Sequence, residues 1–447
     1  MKKGKGIAVR VGCGLVVLFV SLFIFVPLST ADEGSSSGST GKVSGFLNKL
    51  KDPFSGLPNI FSELSPADVG HKPRIRPHFA FNQGYTSNAQ FGQKQADAAW
   101  QARIAPGITL SVPSGKLYTE VDYTYGFSTT QGRKTHANVN THNISALARY
   151  DLTADTTIGV GNNLQLSEVP GAEGDTFLLE TATAQVKHRL SQKLIASLGD
   201  TIQVFNDRAT NRENDFVDNG VSAALSYDAT ADLSVGPTFA WNTRHFDDIS
   251  AKNYWQIQPG VAGTYRLGPK TTVGGNFDWA LRKFEKGTND SESELVYGAS
   301  VTHLLGRKFV WSLNYQKSLQ DTFDTGFVFK DTPEVTALDN LDRDFRVVKS
   351  HRLGTSATYH INESSSVGAF GDFQFLISDA KDKVVNPNSK NERAMEVGAR
   401  YTYRITRYIN FDILYAFGRR FTSEDNPNLN RQEYTFHKIT GGVNIAV

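Results

Sequence analysis

From Trp100 to Val112 the chain alternates. Trp100, Ala102, Ile104, Pro106, Ile108, Leu110 and Val112 are apolar, and Gln101, Arg103, Ala105, Gly107, Thr109 and Ser111 between them are polar or small. Successive side chains of a strand point to opposite faces, so a period of two predicts a strand with one apolar face. Beyond the turn Pro113-Ser114-Gly115, Leu117, Val121, Tyr123, Tyr125 and Phe127 alternate with Tyr118, Glu120, Asp122 and Thr124. The pattern returns in Ile158/Val160/Leu164/Leu166, Leu233/Val235/Phe239/Trp241, Phe309/Trp311/Leu313/Tyr315 and Ile409/Phe411/Ile413/Tyr415/Phe417. About 18 such runs of roughly ten or more residues follow.

A second pattern punctuates the first. An aromatic or histidine, any residue, an aliphatic and a turn-former recur as Tyr150-Asp151-Leu152-Thr153, His188-Arg189-Leu190-Ser191, Tyr227-Asp228-Ala229-Thr230, Tyr265-Arg266-Leu267-Gly268, His303-Leu304-Leu305-Gly306, Tyr359-His360-Ile361-Asn362 and Tyr403-Arg404-Ile405-Thr406. The first five copies are 38 or 39 residues apart. A fixed period of that size marks a repeated supersecondary unit. Each period holds two long strands, with a short turn at the phrase. Longer segments lie at the opposite end, at 128–137, 168–175, 207–216, 244–253, 285–293, 319–345, 378–391 and 419–432. A propeller blade needs four short strands per period, so that architecture is disfavoured. Short turns at one end and long loops at the other predict an all-β fold: an antiparallel up-and-down transmembrane β-barrel of about 18 strands. Such a barrel is ~35 Å across its backbone, wide enough for water.

The rest of the chain fits an exported barrel. Residues 1–31 read as a signal peptide: Lys2, Lys3, Lys5 and Arg10 precede an apolar stretch from Val11 to Leu28, and Ser29-Thr30-Ala31 offers small residues for cleavage. Residues 32–75 begin Gly/Ser-rich, then place Val43, Phe46, Leu47 and Leu50 at helical spacing. They predict a periplasmic linker, or a hatch or docking segment for a periplasmic export partner. Residues 76–447 are the barrel. The formal charge of +2 falls to about −2 without the four signal cations, which leaves no basic excess for nucleic acid. Cys13, the only cysteine, lies in the signal segment, so disulfides and thiol chemistry are excluded from residues 32–447.

The apolar parity should face outer-membrane lipid. Tyr150, Tyr227, Tyr265, Tyr359 and Tyr403 predict one aromatic belt, with Phe309, Trp311 and Tyr408 beside them. Trp100, Phe127, Trp241, Trp255, Trp279, Tyr315, Phe375 and Phe417 predict the other. The girdles are continuous enough for a monomer. Pro106, Pro237 and Pro259 fall inside strands, where a missing N–H predicts bulges or locally broken pairing.

The other parity should line the lumen. Its bases are Arg103, Arg149, Lys187, Arg189, Arg244 and Arg266, then Arg282, Arg352, Arg400, Arg404, Arg420 and Lys438. Its acids are Glu120, Asp122, Asp278, Asp372, Glu396 and Asp412. A basic excess on a watery wall favours anionic solutes; the bland alternative is that these bases pair with neighbouring acids. The longest loop carries Asp321, Asp324, Asp331, Glu334, Asp339 and Asp342, and predicts an acidic constriction folded against that wall, or else a solvated surface loop. There is no Gly-x-Ser-x-Gly elbow and no His-Glu-x-x-His, so no catalytic residues, cofactor or metal are expected.

Phe81-Asn82-Gln83-Gly84-Tyr85-Thr86-Ser87-Asn88, then Ile104-Ala105-Pro106-Gly107-Ile108, then Val121-Asp122-Tyr123 resemble the opening strands of the β-barrel porin type 2 family. The resemblance covers about residues 76–447. It implies an outer-membrane barrel of the Gram-negative type, in many members associated with exopolysaccharide export, with no catalytic residues. The expected function is an outer-membrane channel for polar, anionic solutes or exopolysaccharide. The alternative is a closed barrel that serves as a surface receptor or assembly scaffold through its long loops.

Overall fold

The structure, a computed structural model, describes residues 73–87, 98–133, 136–168, 176–207, 215–247, 253–285, 291–321, 347–378, 392–422 and 434–446. The expected signal peptide and nearly all of the 32–75 segment lie outside these residues, as do Asp324, Asp331, Glu334, Asp339 and Asp342 of the expected constriction loop. Asp321 ends a strand, with no described side chain.

The described chain forms 18 strands: β1 Arg74–Thr86, β2 Ala99–Ser114, β3 Leu117–Gly132, β4 His136–Asp151, β5 Thr156–Glu168, β6 Thr176–Arg189, β7 Leu194–Asp207, β8 Phe216–Asp228, β9 Leu233–Phe246, β10 Tyr254–Arg266, β11 Thr271–Phe284, β12 Ser291–Leu305, β13 Phe309–Asp321, β14 Val347–His360, β15 Ser365–Ser378, β16 Glu392–Arg404, β17 Ile409–Thr422 and β18 Tyr434–Ala446. Each strand pairs antiparallel with its sequence neighbours, and β1 also pairs with β18, from His78 opposite Ala446 to Thr86 opposite Lys438. That last ladder closes the sheet into a barrel and leaves no open edge.

The repeated phrase becomes a turn with a specific chemistry. Thr153 Oγ1 accepts from the Asp155 N–H, Ser191 Oγ from Lys193, Thr230 Oγ1 from Asp232, Asn362 Oδ1 from Ser364 and Thr406 Oγ1 from Tyr408. One polar side chain thus holds the backbone two residues on, which is why Ser, Thr and Asn recur there. The two remaining copies end in Gly268 and Gly306, at φ 74° and 68°, where glycine enters the left-handed region without a Cβ clash.

Two expectations change in detail. The segment 128–137 is mostly strand: β3 runs to Gly132, β4 starts at His136, and Gln131 stands opposite His136. Thr129 and Gln131 continue the ladder although they are polar, because pairing is a backbone property. The prolines break pairing without bulging. Toward β3, the β2 ladder passes from Ile104–Phe127 to Gly107–Thr124 in unchanged register, skipping Ala105 and Pro106. Pro259 interrupts the β10–β11 ladder in the same way, and Pro237 the β8–β9 ladder. On the opposite side each proline keeps a partner, Phe79, Phe239 and Val261 for Pro106, Pro259 and Pro237 respectively.

One face of the sheet exposes its large apolar side chains. Trp100 is 59% accessible, Leu198 55% and Phe277 54%, and the five phrase tyrosines share this face. A groove of about 740 Å³ lies on it over the closing seam, walled by Phe81, Tyr85, Trp100, Ile439 and Val443. The other parity carries the polar residues and the packed clusters. Curvature crowds side chains on the concave side of a closed sheet, so the packed parity is the inside.

Candidate functional site: the concave wall

The inside is divided into an aromatic ledge and polar clusters. Phe177, Phe205, Phe216 and Phe246 pack together, one from each of β6 to β9, at the ends away from the phrase turns. Their ring centroids are 6.0, 5.6 and 5.7 Å apart in succession. Tyr254 and Phe284 extend the ledge onto β10 and β11, with centroids 5.9 Å apart. All six side chains are at least nine-tenths buried.

Two arginines lie against this ledge. The Arg282 guanidinium stands 4.1 Å from the Tyr254 ring centre, and that of Arg244 is 4.7 Å from Phe216 and 5.9 Å from Tyr254. Both are only 3% accessible. A guanidinium is weakly hydrated and planar, so an aromatic face can take the place of part of its water. Arg244 is also paired with Asp218 at 2.6 Å. Arg282 donates through Nε to Gln256 Oε1 at 2.9 Å and through Nη2 to the Leu319 carbonyl at 3.3 Å. Its buried Nη1 has no hydrogen-bond partner among the described residues. A buried, positively charged donor of this kind is suited to an oxygen of an anion.

The proline interruptions position the polar clusters. Beside Pro106, Gly107 has no side chain, and a Cβ there would lie 2.1 Å from His78 Cε1. The His78 ring occupies that space and meets Asp122 at 2.8 Å; Thr109 Oγ1 donates to the same carboxylate oxygen at 2.7 Å. Beside Pro259, a Cβ on Gly260 would lie 1.8 Å from Asp278 Oδ1. Asp278 lies in that gap, and Thr238 and Asn276 donate to it. The Pro-Gly pairs therefore open notches in the wall that seat a histidine and an aspartate. Next along β1 to β3, Glu120 accepts from Arg76 at 2.8 Å, Ser111 at 2.8 Å and Tyr118 at 2.6 Å.

The expected wall residues fall on the inward parity of their strands: Arg103 and Arg149, Lys187, Arg244, Arg266, Arg282, Arg352, Arg400 and Arg404, with Glu120, Asp278, Asp372 and Glu396. The structure does not bring them into one ring. Arg352 is bidentate to Asp372, with its shortest contact 2.6 Å, and Arg149 bonds Asp151. Lys187, Arg266, Arg400 and Arg404 are exposed, toward the phrase turns. Arg244 and Arg282 are buried at the other end. Sequence reading missed Arg76, His78 and Asp218, and the ledge itself. The signal for the ledge was present: Phe177, Phe205, Phe216 and Phe246 break the polar parity at strand ends.

An apolar, tryptophan-rich exterior around a closed sheet with a charged interior defines a transmembrane β-barrel. No protein-family model matches the sequence, and no curated protein matches it. Among solved structures the chain is similar to Pseudomonas aeruginosa OccK7 (OpdD), at 12% identity and a TM-score of 0.49 over 84% of this chain and 99% of that one. It is similar to Acinetobacter baumannii OccAB4, at 13% identity and 0.48 over 86% and 100%. It is also similar to Pseudomonas aeruginosa OpdK, solved with vanillate, at 10% identity and 0.48 over 83% and 99%.

Proposed function

We propose that this chain is an outer-membrane channel for polar, preferentially anionic solutes. The observation that carries the reading is Arg282: a buried cation stacked on Tyr254, with one donor nitrogen that has no partner among the described residues. Arg244 supports it by placing a second cation on the same ring. The two positive charges at that end of the inner wall attract an anion toward it. The exposed Lys187, Arg266 and Arg404 continue the positive wall toward the other end. In this reading residues 1–31 serve as the export signal, and residues 32–75 as a periplasmic linker or hatch segment.

A polysaccharide cargo is the second reading. The resemblance of the opening strands Phe81–Asn88 and Ile104–Ile108 to a family often associated with exopolysaccharide export favours it. Planar-bilayer recording of the purified full chain separates the two. The first reading expects anion-selective conductance that small aromatic carboxylates block from one side. The second expects block by acidic oligosaccharides and little effect of the small carboxylates. A barrel that conducts under neither condition would point to a receptor or scaffold.

A further inference from the structure

The outward parity of β16 and β17 changes from apolar to basic at the end away from the phrase turns. On β17 it runs from Ile409 through Phe411, Ile413, Tyr415 and Phe417 to Arg419. On β16 it runs from the phrase residue Tyr403 back through Tyr401, Ala399, Val397 and Met395 to Arg393. Each arginine is ten residues from the start of its column (419 − 409, 403 − 393). At about 3.3 Å per residue and a tilt of about 40°, ten residues rise about 25 Å, the height of a barrel's apolar band. Both arginines therefore stand at the headgroup level of the long-loop end, which is the outer end of such a barrel. Both are exposed. The Arg393 guanidinium lies 5.9 Å from the centre of the Phe375 ring, and that of Arg419 lies 4.3 Å from Phe421. Phe421 stands opposite Arg393 and two residues beyond Arg419. The two cations are thus diagonal neighbours, about 7–8 Å apart at the backbone.

On β13 and β14 the outward cations near the same end, Lys317 and Lys349, are both held by Glu294. Among the described residues neither Arg393 nor Arg419 pairs with an acid; each leans on a ring instead. A guanidinium against a ring keeps N–H groups to donate, and it binds phosphate through two of them at once. We propose that Arg393 and Arg419 form a clamp for the phosphate groups of the outer leaflet's phosphorylated glycolipid, lipopolysaccharide. The inference rests on the membrane placement of the barrel and not on its conductance. A lipid is favoured over a free anion by what lies nearer the phrase turns on the same face. Gly441 on β18 stands opposite the outward Ile413, and a Cβ there would meet only the Asp412 carbonyl, at 3.9 Å. Around that gap Phe81, Trp100, Phe411 and Val443 wall the groove of about 740 Å³. Phe411 belongs to the same outward column as Arg419. Cations at the headgroup level and an open apolar trough in the band beneath match the two parts of a lipid.

The test uses the full chain, extracted from outer membranes in mild detergent and stripped of lipid. The probes are lipid A with its phosphates, lipid A without them, phosphatidylglycerol and inorganic phosphate. The proposal expects the phosphorylated lipid A to bind. Binding should fall by about tenfold or more when its phosphates are removed, and by as much in Arg393→Gln/Arg419→Gln. Arg407→Gln, at the turn end between β16 and β17, should leave it unchanged. Heat-modifiable migration reports whether each variant is folded. If the double variant does not fold, Arg419→Gln alone should show the loss in smaller measure. Equal binding of the two lipid A forms, full binding by the folded Gln variants, or an equal loss in Arg407→Gln would each overturn the clamp. Phosphatidylglycerol or inorganic phosphate competing as well as phosphorylated lipid A would overturn lipopolysaccharide as its ligand. Recovery of the chain in the soluble fraction would sink the membrane placement itself.

Discussion

Arg282 on β11 lies with its guanidinium 4.1 Å from the centre of the Tyr254 ring on β10. The two residues are one ladder step apart: Tyr254 stands opposite Phe284, two residues beyond Arg282 on the same face. The ring shields one side of a cation whose Nη1 has no partner among the described residues. That leaves a cationic donor beside the aromatic ledge.

Replacing Arg282 by Gln should therefore lower anion-over-cation permeability by about twofold or more, while leaving the barrel able to conduct. Arg282→Lys should recover only part of the loss, because an ammonium cannot lie flat on the ring while holding Gln256. Reversal potentials under a salt gradient measure both. Unchanged selectivity in the Gln variant would remove Arg282 from the selectivity mechanism.

Asp218→Ala should destabilise the barrel by about 2–4 kcal/mol, because it removes the carboxylate paired with the buried Arg244 charge. The figure sits below that for a fully buried pair because the Asp218 side chain is 23% accessible. Urea unfolding in lipid vesicles reads the difference. Removing the buried charge as well, in Asp218→Ala/Arg244→Met, should restore part of it.

Gly260→Val should cost about 1–3 kcal/mol, since its Cβ would fall 1.8 Å from Asp278 Oδ1 and 2.7 Å from the Phe277 carbonyl. Gly441→Ala is the control: its nearest neighbour would be the Asp412 carbonyl at 3.9 Å, so the effect should stay within about 0.5 kcal/mol. Equal unfolding midpoints for the two variants would contradict the notch at Pro259.

Asn362→Ala should cost about 1 kcal/mol or somewhat more. Its Oδ1 accepts from the Ser364 and Ser365 N–H groups, both at 2.8 Å, and from Ser365 Oγ at 2.7 Å. Thr153→Ala should cost less, because Thr153 Oγ1 holds one backbone N–H, at 3.2 Å. The comparison tests whether the phrase turns are held by their polar residue or by the ladders on either side.

The phrase and the alternation were enough to count the strands, and to say which parity of each faces out. Asp200 and Glu180 were also readable as acids on the apolar parity, but nothing in their neighbours marked them as partners of Asn219 and Asn162. The extent of β3 was not legible, because Thr129 and Gln131 carry no apolar signal while their backbone still pairs.

Periodicity along one strand is a local property, since each residue's face follows from its neighbours two positions away. That is why the sequence alone determined an 18-strand antiparallel barrel with an apolar outside and a charged inside. Contacts across strands depend on register and closure. Asp218 meets Arg244 because β8 and β9 pair residue 218 with 244, and His78 fills the space above Gly107 because those two residues stand opposite each other. Phe177, Phe205, Phe216 and Phe246 lie far apart in the chain and form one ledge only when four strand ends are brought level. Only the tertiary structure decided which charges are paired and which are stacked on aromatic rings.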